Sequence, residues 1–115
     1  NSWFKRSPMS SIKLRTRQSG AFTLLRVMID HPMETGRRRD EASGQLVPAH
    51  FITNMDVLLN DKRIIEGALS TAVSKNPYFS FELEGIRQGD TIKVIWRDNL
   101  GFTDEGFIRI KNDEP

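Results

Sequence analysis

Apolar and polar residues alternate one by one along this chain, in short runs broken by turn residues. Ile12, Leu14 and Thr16 alternate with Lys13, Arg15 and Arg17. Ile92, Val94 and Trp96 do the same with Lys93 and Arg97, although Ile95 shares that second face. A period of two places successive side chains on opposite faces of an extended strand, and no helix accommodates it. Only Ile64–Val73 approaches helical spacing, and Gly67 and its Ser/Thr content argue against a helix there. The pattern predicts strands around 12–17, Phe22–Ile29, Phe51–Leu59, Lys62–Ala68, Tyr78–Glu84, Thr91–Arg97 and Phe107–Lys111. The expected fold is all-β: a two-sheet antiparallel β-sandwich of immunoglobulin-like type, with about seven strands.

The alternation also assigns faces. Phe22–Ile29 is apolar on nearly both faces, which suits a central or partner-covered strand: if Leu25, Val27 and Ile29 face in, Phe22, Leu24 and Met28 form an outward apolar stripe, and the opposite register is equally open. In the third strand, Phe51, Met55, Val57 and Leu59 share one face, and Ile52, Asn54, Asp56 and Leu58 the other. Phe79, Phe81 and Leu83 face in. The aromatic residues Phe51, Tyr78, Phe79, Phe81, Trp96 and Phe107 are expected mostly in the core. Asn60-Asp61 is a two-residue hairpin turn between residues tolerant of positive φ. Gly67 marks a bulge or an edge.

A chain of 115 residues is one domain. Asn1–Pro8 differs in character from the rest of the chain, and Met9 makes a natural start. The expected organisation is a vector-derived or disordered leader over 1–8 and a single domain over 9–115. Charge is nearly balanced, with 17 Lys and Arg against 15 Asp and Glu. The cations are unevenly placed: Lys5, Arg6, Lys13, Arg15, Arg17 and Arg26 all precede the first acid, Asp30. Lys13, Arg15 and Arg17 line the wet face of a strand. There is no cysteine, hence no disulfide, no thiolate metal site and no cysteine nucleophile in this chain. No apolar run approaches a bilayer-spanning length.

The exception to the alternating pattern is His31–Ile52, HPMETGRRRDEASGQLVPAHFI. It holds both histidines and two of the five prolines. His31-Pro32 ends the preceding strand, because proline lacks an N–H and drives the residue before it toward extended geometry. Glu34-Thr35-Gly36 and Ala42-Ser43-Gly44-Gln45 are turns. Arg37-Arg38-Arg39-Asp40-Glu41 is too charged to bury and lies in solvent or faces an anionic partner. Leu46-Val47-Pro48 re-enters the body, which leaves a polar excursion of about fifteen residues, near the length at which loops tend to be functional or disordered.

His31-Pro32-Met33-Glu34-Thr35-Gly36, then Arg39-Asp40, Gly44 and Val47-Pro48-Ala49-His50-Phe51-Ile52, resemble the signature of the SoxZ family. The likeness continues through Thr71–Pro77 and Trp96-Arg97-Asp98-Asn99 and covers about Ile12–Ile110. It implies a non-catalytic subunit of a sulfur-carrier complex in thiosulfate oxidation. It further implies a SoxY-like partner, forming a heterodimer, whose Gly-Gly-Cys-Gly-Gly tail holds the sulfur substrate on its thiol. Transient docking with periplasmic oxidation enzymes, and a periplasmic location reached by co-export with the signal-bearing partner, are also implied. By matching position, the residues tied to function are His31–Gly36, Arg39, Asp40 and Val47–Ile52. Among them, Glu34 and His50 read as least needed for packing.

Other chemistries compete with that reading. His31 and His50 suit a zinc or copper site, with Met33 as a thioether and Glu34 or Asp40 converging. The expected roles are structural instead: His31 ends a strand and His50 hydrogen-bonds near the loop. No cofactor or metal is assigned. Ser70, Thr71 and Ser74 have no activating histidine near them in sequence, so an enzyme is disfavoured. The arginine run lacks interleaved aromatics, which disfavours nucleic acid. The remaining alternatives are a carrier domain of another periplasmic oxidation system, and a small histidine-based metal-binding or enzymatic β-sandwich. An isolated chain is expected to self-associate through an open edge or the Phe22 stripe when its partner is missing.

Overall fold

The computed structural model describes residues 11–69 and 73–111. The expectations for residues 1–8, Ser70 and Thr71 fall outside them. Among the described residues seven strands form: β1 (Ile12–Ser19), β2 (Phe22–Ile29), β3 (Ile52–Leu59), β4 (Lys62–Ala68), β5 (Tyr78–Glu84), β6 (Thr91–Asp98) and β7 (Thr103–Arg109). All pairings are antiparallel. They build a three-stranded sheet, β1-β2-β5, and a four-stranded sheet, β4-β3-β6-β7. Taken in chain order, this is the seven-strand immunoglobulin-like arrangement with its fourth strand moved to the second sheet. The β-sandwich fold is as the alternation predicts, and among the described residues no helix is long and apolar enough to cross a membrane.

The inward faces form one core. Leu25, Val27 and Ile29 of β2 meet Ile52, Met55 and Val57 of β3 and Ile92, Val94 and Trp96 of β6. Phe22 and Met28 face outward, so of the two registers open to β2 the one with Leu25, Val27 and Ile29 inside is realised. The β3–β4 turn carries positive φ at both Asn60 (49°) and Asp61 (70°). That is the hairpin geometry whose twist matches its flanking strands.

The face assignment of one strand fails, for a local reason. β3 does not keep a single alternation: the register shifts between Ile52 and Asn54. Thr53 is the extra residue, so Ile52 turns onto the buried face with Met55 and Val57. A second irregularity falls between Val57 and Leu58, with Ile64 unpaired opposite, so the bulge of β4 lies there and not at Gly67. Gly67 does lie on an edge strand. Of the aromatic residues expected mostly in the core, Phe51, Phe79, Phe81 and Trp96 are in or against it, while Tyr78 and Phe107 lie outside, 54% and 70% exposed. Strict alternation keeps these two out, because Phe79 and Ile108 occupy the adjacent inward positions. Phe107 stands opposite Lys93, and β7 begins at Thr103, earlier than expected.

Truncating a fully buried side chain, Leu25→Ala, is expected to cost about 2–5 kcal/mol by urea denaturation. Tyr78→Ser and Phe107→Ser should each change stability by less than about 0.5 kcal/mol. A cost above about 2 kcal/mol at Phe107 would contradict its outward placement.

Candidate functional site

The loop 31–52 is a folded hairpin tied to the end of the sandwich. Its legs close through a Glu34–His50 bridge and an Arg39–Leu46 bridge. Asp40 N–H donates to Gln45 O at 2.8 Å, and Val47 N–H donates to Arg38 O at 2.7 Å. At the tip, Asp40 accepts from Ala42 N–H (3.1 Å) and the Ser43 hydroxyl (3.2 Å), a side-chain turn of the kind aspartate makes readily. Arg39 donates to Gly44 O at 2.9 Å. Gly36 sits at φ +87°, and a Cβ there would stand 3.2 Å from the Ala49 methyl carbon. The two legs of the hairpin therefore approach too closely at that point for a larger residue.

The base of the loop converges on Asp98, the last residue of β6. Asp98 continues the inward series Ile92, Val94, Trp96, so its carboxylate enters the core, and its side chain is fully buried. One oxygen, Oδ1, accepts from Leu100 N–H (3.0 Å) and Phe102 N–H (2.9 Å), which folds the β6–β7 turn. The other, Oδ2, lies 3.1 Å from His31 Nε2 and 2.7 Å from His50 Nε2. Both acceptor positions of each oxygen are thus filled. Met33 N–H donates to His31 Nδ1 at 3.1 Å, so the ring proton of His31 is on Nε2, directed at Asp98. The imidazoles meet edge to face at 4.5 Å, and His31 also stands edge-on to Trp96 at 5.1 Å.

Burial pushes the Asp98 carboxyl upward in pKa. The hydrogen bonds from His31, His50, Phe102 and Leu100 outweigh that and hold it below the ordinary aspartate value.

Two asparagines fasten the loop from either side. Asn76 Oδ1 accepts His31 N–H (3.0 Å), and Asn76 N–H donates to His31 O (2.9 Å). Asn99 Oδ1 accepts Phe51 N–H (2.7 Å), Asn99 Nδ2 donates to Ala49 O (3.0 Å), and Asn99 N–H donates to Phe51 O (3.0 Å). Met33, buried at φ 50°, turns its sulfur to the Ile52 N–H at 3.4 Å. That contact supplies a partner for backbone at the start of the β3 bulge.

The structure therefore gathers part of the expected set. His31, Met33, Glu34, Ala49, His50, Phe51 and Ile52 meet at the loop base, and Gly36 packs on Ala49. Pro32, Thr35 and Pro48 are exposed, and Val47 is half-buried. Arg39 and Asp40 are engaged within the hairpin itself. His50, read as among the least needed for packing and as hydrogen-bonding near the loop, is a strut: its backbone pairs with Glu34 and its ring with Asp98. The Glu34 carboxylate is bonded to Arg38 at 2.8 Å, which holds it below the ordinary glutamate range.

His31, His50 and Asp98 offer three ligand atoms within 4.8 Å of one another. Neither Glu34 nor Asp40 joins them, contrary to the convergence a metal site required, and the Met33 sulfur faces backbone. Both imidazoles approach the same carboxylate oxygen at hydrogen-bond distance, and His31 has neither ring nitrogen free. Asp98, Asn76 and Asn99 do not stand out as site residues in the sequence, although they lie in the weaker stretches of the likeness.

Fold and site together define an immunoglobulin-like β-sandwich whose long loop is locked to one end by a buried His–Asp–His cluster. Residues 12–108 match the family model of the sulphur oxidation protein SoxZ, and the chain belongs to that family. Its place is accordingly in sulfur oxidation. No curated protein matches the sequence.

Asp98→Ala is expected to destabilise the chain by about 3–5 kcal/mol, because it strands the buried His31 ring N–H, the half-buried His50 ring and two backbone donors. The pKa of Asp98 is lower folded than unfolded, so its contribution is complete at neutral pH. It is lost as the pH falls below about 4, through the folded value. Urea midpoints measured between pH 7 and pH 3 should show this acid loss in wild type and a shallower one in Asp98→Asn. Equal slopes would refute the assignment.

Proposed function

We propose that this chain is the non-catalytic subunit of a heterodimeric sulfur carrier, working beside a SoxY-like subunit in the periplasm. The partner's C-terminal cysteine holds the sulfur intermediates of thiosulfate oxidation. This chain binds that subunit and helps present it to the oxidation enzymes. The observation that carries the reading is the family match over residues 12–108 of a chain without cysteine. Covalent sulfur chemistry needs a thiolate, and in this pairing the thiolate belongs to the partner. The site geometry supports the same division. Asp98 and His31 have their hydrogen-bonding positions filled by structural bonds, which suits a rigid end to the sandwich more than proton transfer.

Co-expression with the SoxY-like subunit, then size exclusion and intact-mass analysis, tests this. The expected result is a one-to-one complex in which cells grown on thiosulfate yield sulfur adducts on the partner and none on this chain. Elution of this chain alone from such cells would overturn it.

A further inference from the structure

The outward cations of the four-stranded sheet are partly paired: among the described residues Lys62, Arg97 and Arg109 form no ion pair, whereas Arg63 and Lys93 do. On the four-stranded sheet, Arg63 reaches Asp56 (3.2 Å) and Glu66 (3.7 Å), and Lys93 reaches Asp61 (3.7 Å) and Glu105 (3.9 Å). On the three-stranded sheet, Lys13, Arg15, Arg17 and Arg26 all point outward, and none forms an ion pair among the described residues. Arg15 stands directly opposite Arg26 in the β1–β2 register. Like charges in that position repel and destabilise the sheet that carries them. The chain is otherwise near charge balance, at +2. An unfavourable pair kept at the centre of a face is compensated when an anionic surface covers it.

Apolar side chains bracket the cations. Met28 and Tyr78 are cross-strand neighbours at one end, 48% and 54% exposed, beside Lys13. Phe22 and Leu24 lie at the other end, beside Arg17. A charged centre between aromatic and methionine contacts is the composition of a protein interface. Glu82 and Glu84 on β5 border the Phe22 end of the same face, so its cationic part is the centre, around Lys13, Arg15 and Arg26.

We infer that the outward face of the three-stranded sheet docks an acidic protein surface. Resting on the carrier reading above, that surface belongs to the carrier subunit. The cations steer the encounter, and Phe22, Met28 and Tyr78 supply the buried contacts.

The test is titration of the SoxY-like subunit with wild type, Arg15→Glu and Arg26→Glu, at about 50 and about 300 mM NaCl, with thermal melts of each free chain. Either substitution turns an opposed like pair into an opposed opposite pair, so the free chain should melt at the same temperature or a few degrees higher. Binding should weaken at least tenfold at low salt, with a flatter salt dependence. Unchanged affinity and salt dependence in both variants would overturn the docking face while leaving the carrier reading intact. Failure of wild type to bind the carrier subunit would overturn both. A wild-type homodimer abolished by the substitutions, or a DNA duplex whose binding they abolish, with carrier affinity retained in either case, would assign the face to another occupant and overturn the inference.

Discussion

One buried carboxylate holds this end of the molecule together. Asp98 terminates β6, folds the β6–β7 turn through one oxygen, and draws in the two ends of a long loop through the other. Isolated, a buried carboxylate is strongly unfavourable in a protein interior. Here every acceptor position is used, and two of the donors are imidazoles that themselves pack edge to face. The cluster joins three stretches of chain far apart in sequence: residues 31–33, 49–52 and 98–102. A purely apolar contact would have left their relative orientation loose, whereas directional bonds to one small anion define it.

The loop is correspondingly less free than its polarity implies. Hydrogen bonds from Asn76 and Asn99 hold its two ends, the Met33 sulfur meets the Ile52 N–H, and Gly36 packs on Ala49. The charges divide by role. Arg38 and Arg39 bond within the hairpin, whereas the cations of β1 and β2 find no acid in the described chain. The rigid loop and the unpaired cationic face are different surfaces with different physics.

The sandwich is legible in the sequence because its signals are local. Alternation along Tyr78–Glu84 and Thr91–Arg97 assigns faces without knowledge of any neighbour, and Asn60-Asp61 announces its turn by residue type. Thr53 is not legible, since a bulge is a property of a pair of strands and leaves little trace in one. Tyr78 and Phe107 mislead because aromatic character suggests burial, while the period of two already places Phe79 and Ile108 inside. For the site, His31 and His50 stand out by type, but their common partner lies 67 and 48 residues away. One signal is present: Asp98 extends the inward series 92, 94, 96, and a carboxylate at a buried position demands donors. Asn76 and Asn99 act through backbone bonds that only the folded chain reveals.

The closed base of the hairpin has a consequence for variation. Because the Glu34–His50 and Arg39–Leu46 bridges seal the two legs, the segment from Asp40 to Gln45 is mechanically insulated from the core. Lengthening it adds only loop-closure entropy, about 0.6 kcal/mol for each doubling. Foreign peptides, affinity tags or fluorescent labels grafted between Ala42 and Gly44 would ride on a stiff stalk without disturbing the sandwich beneath.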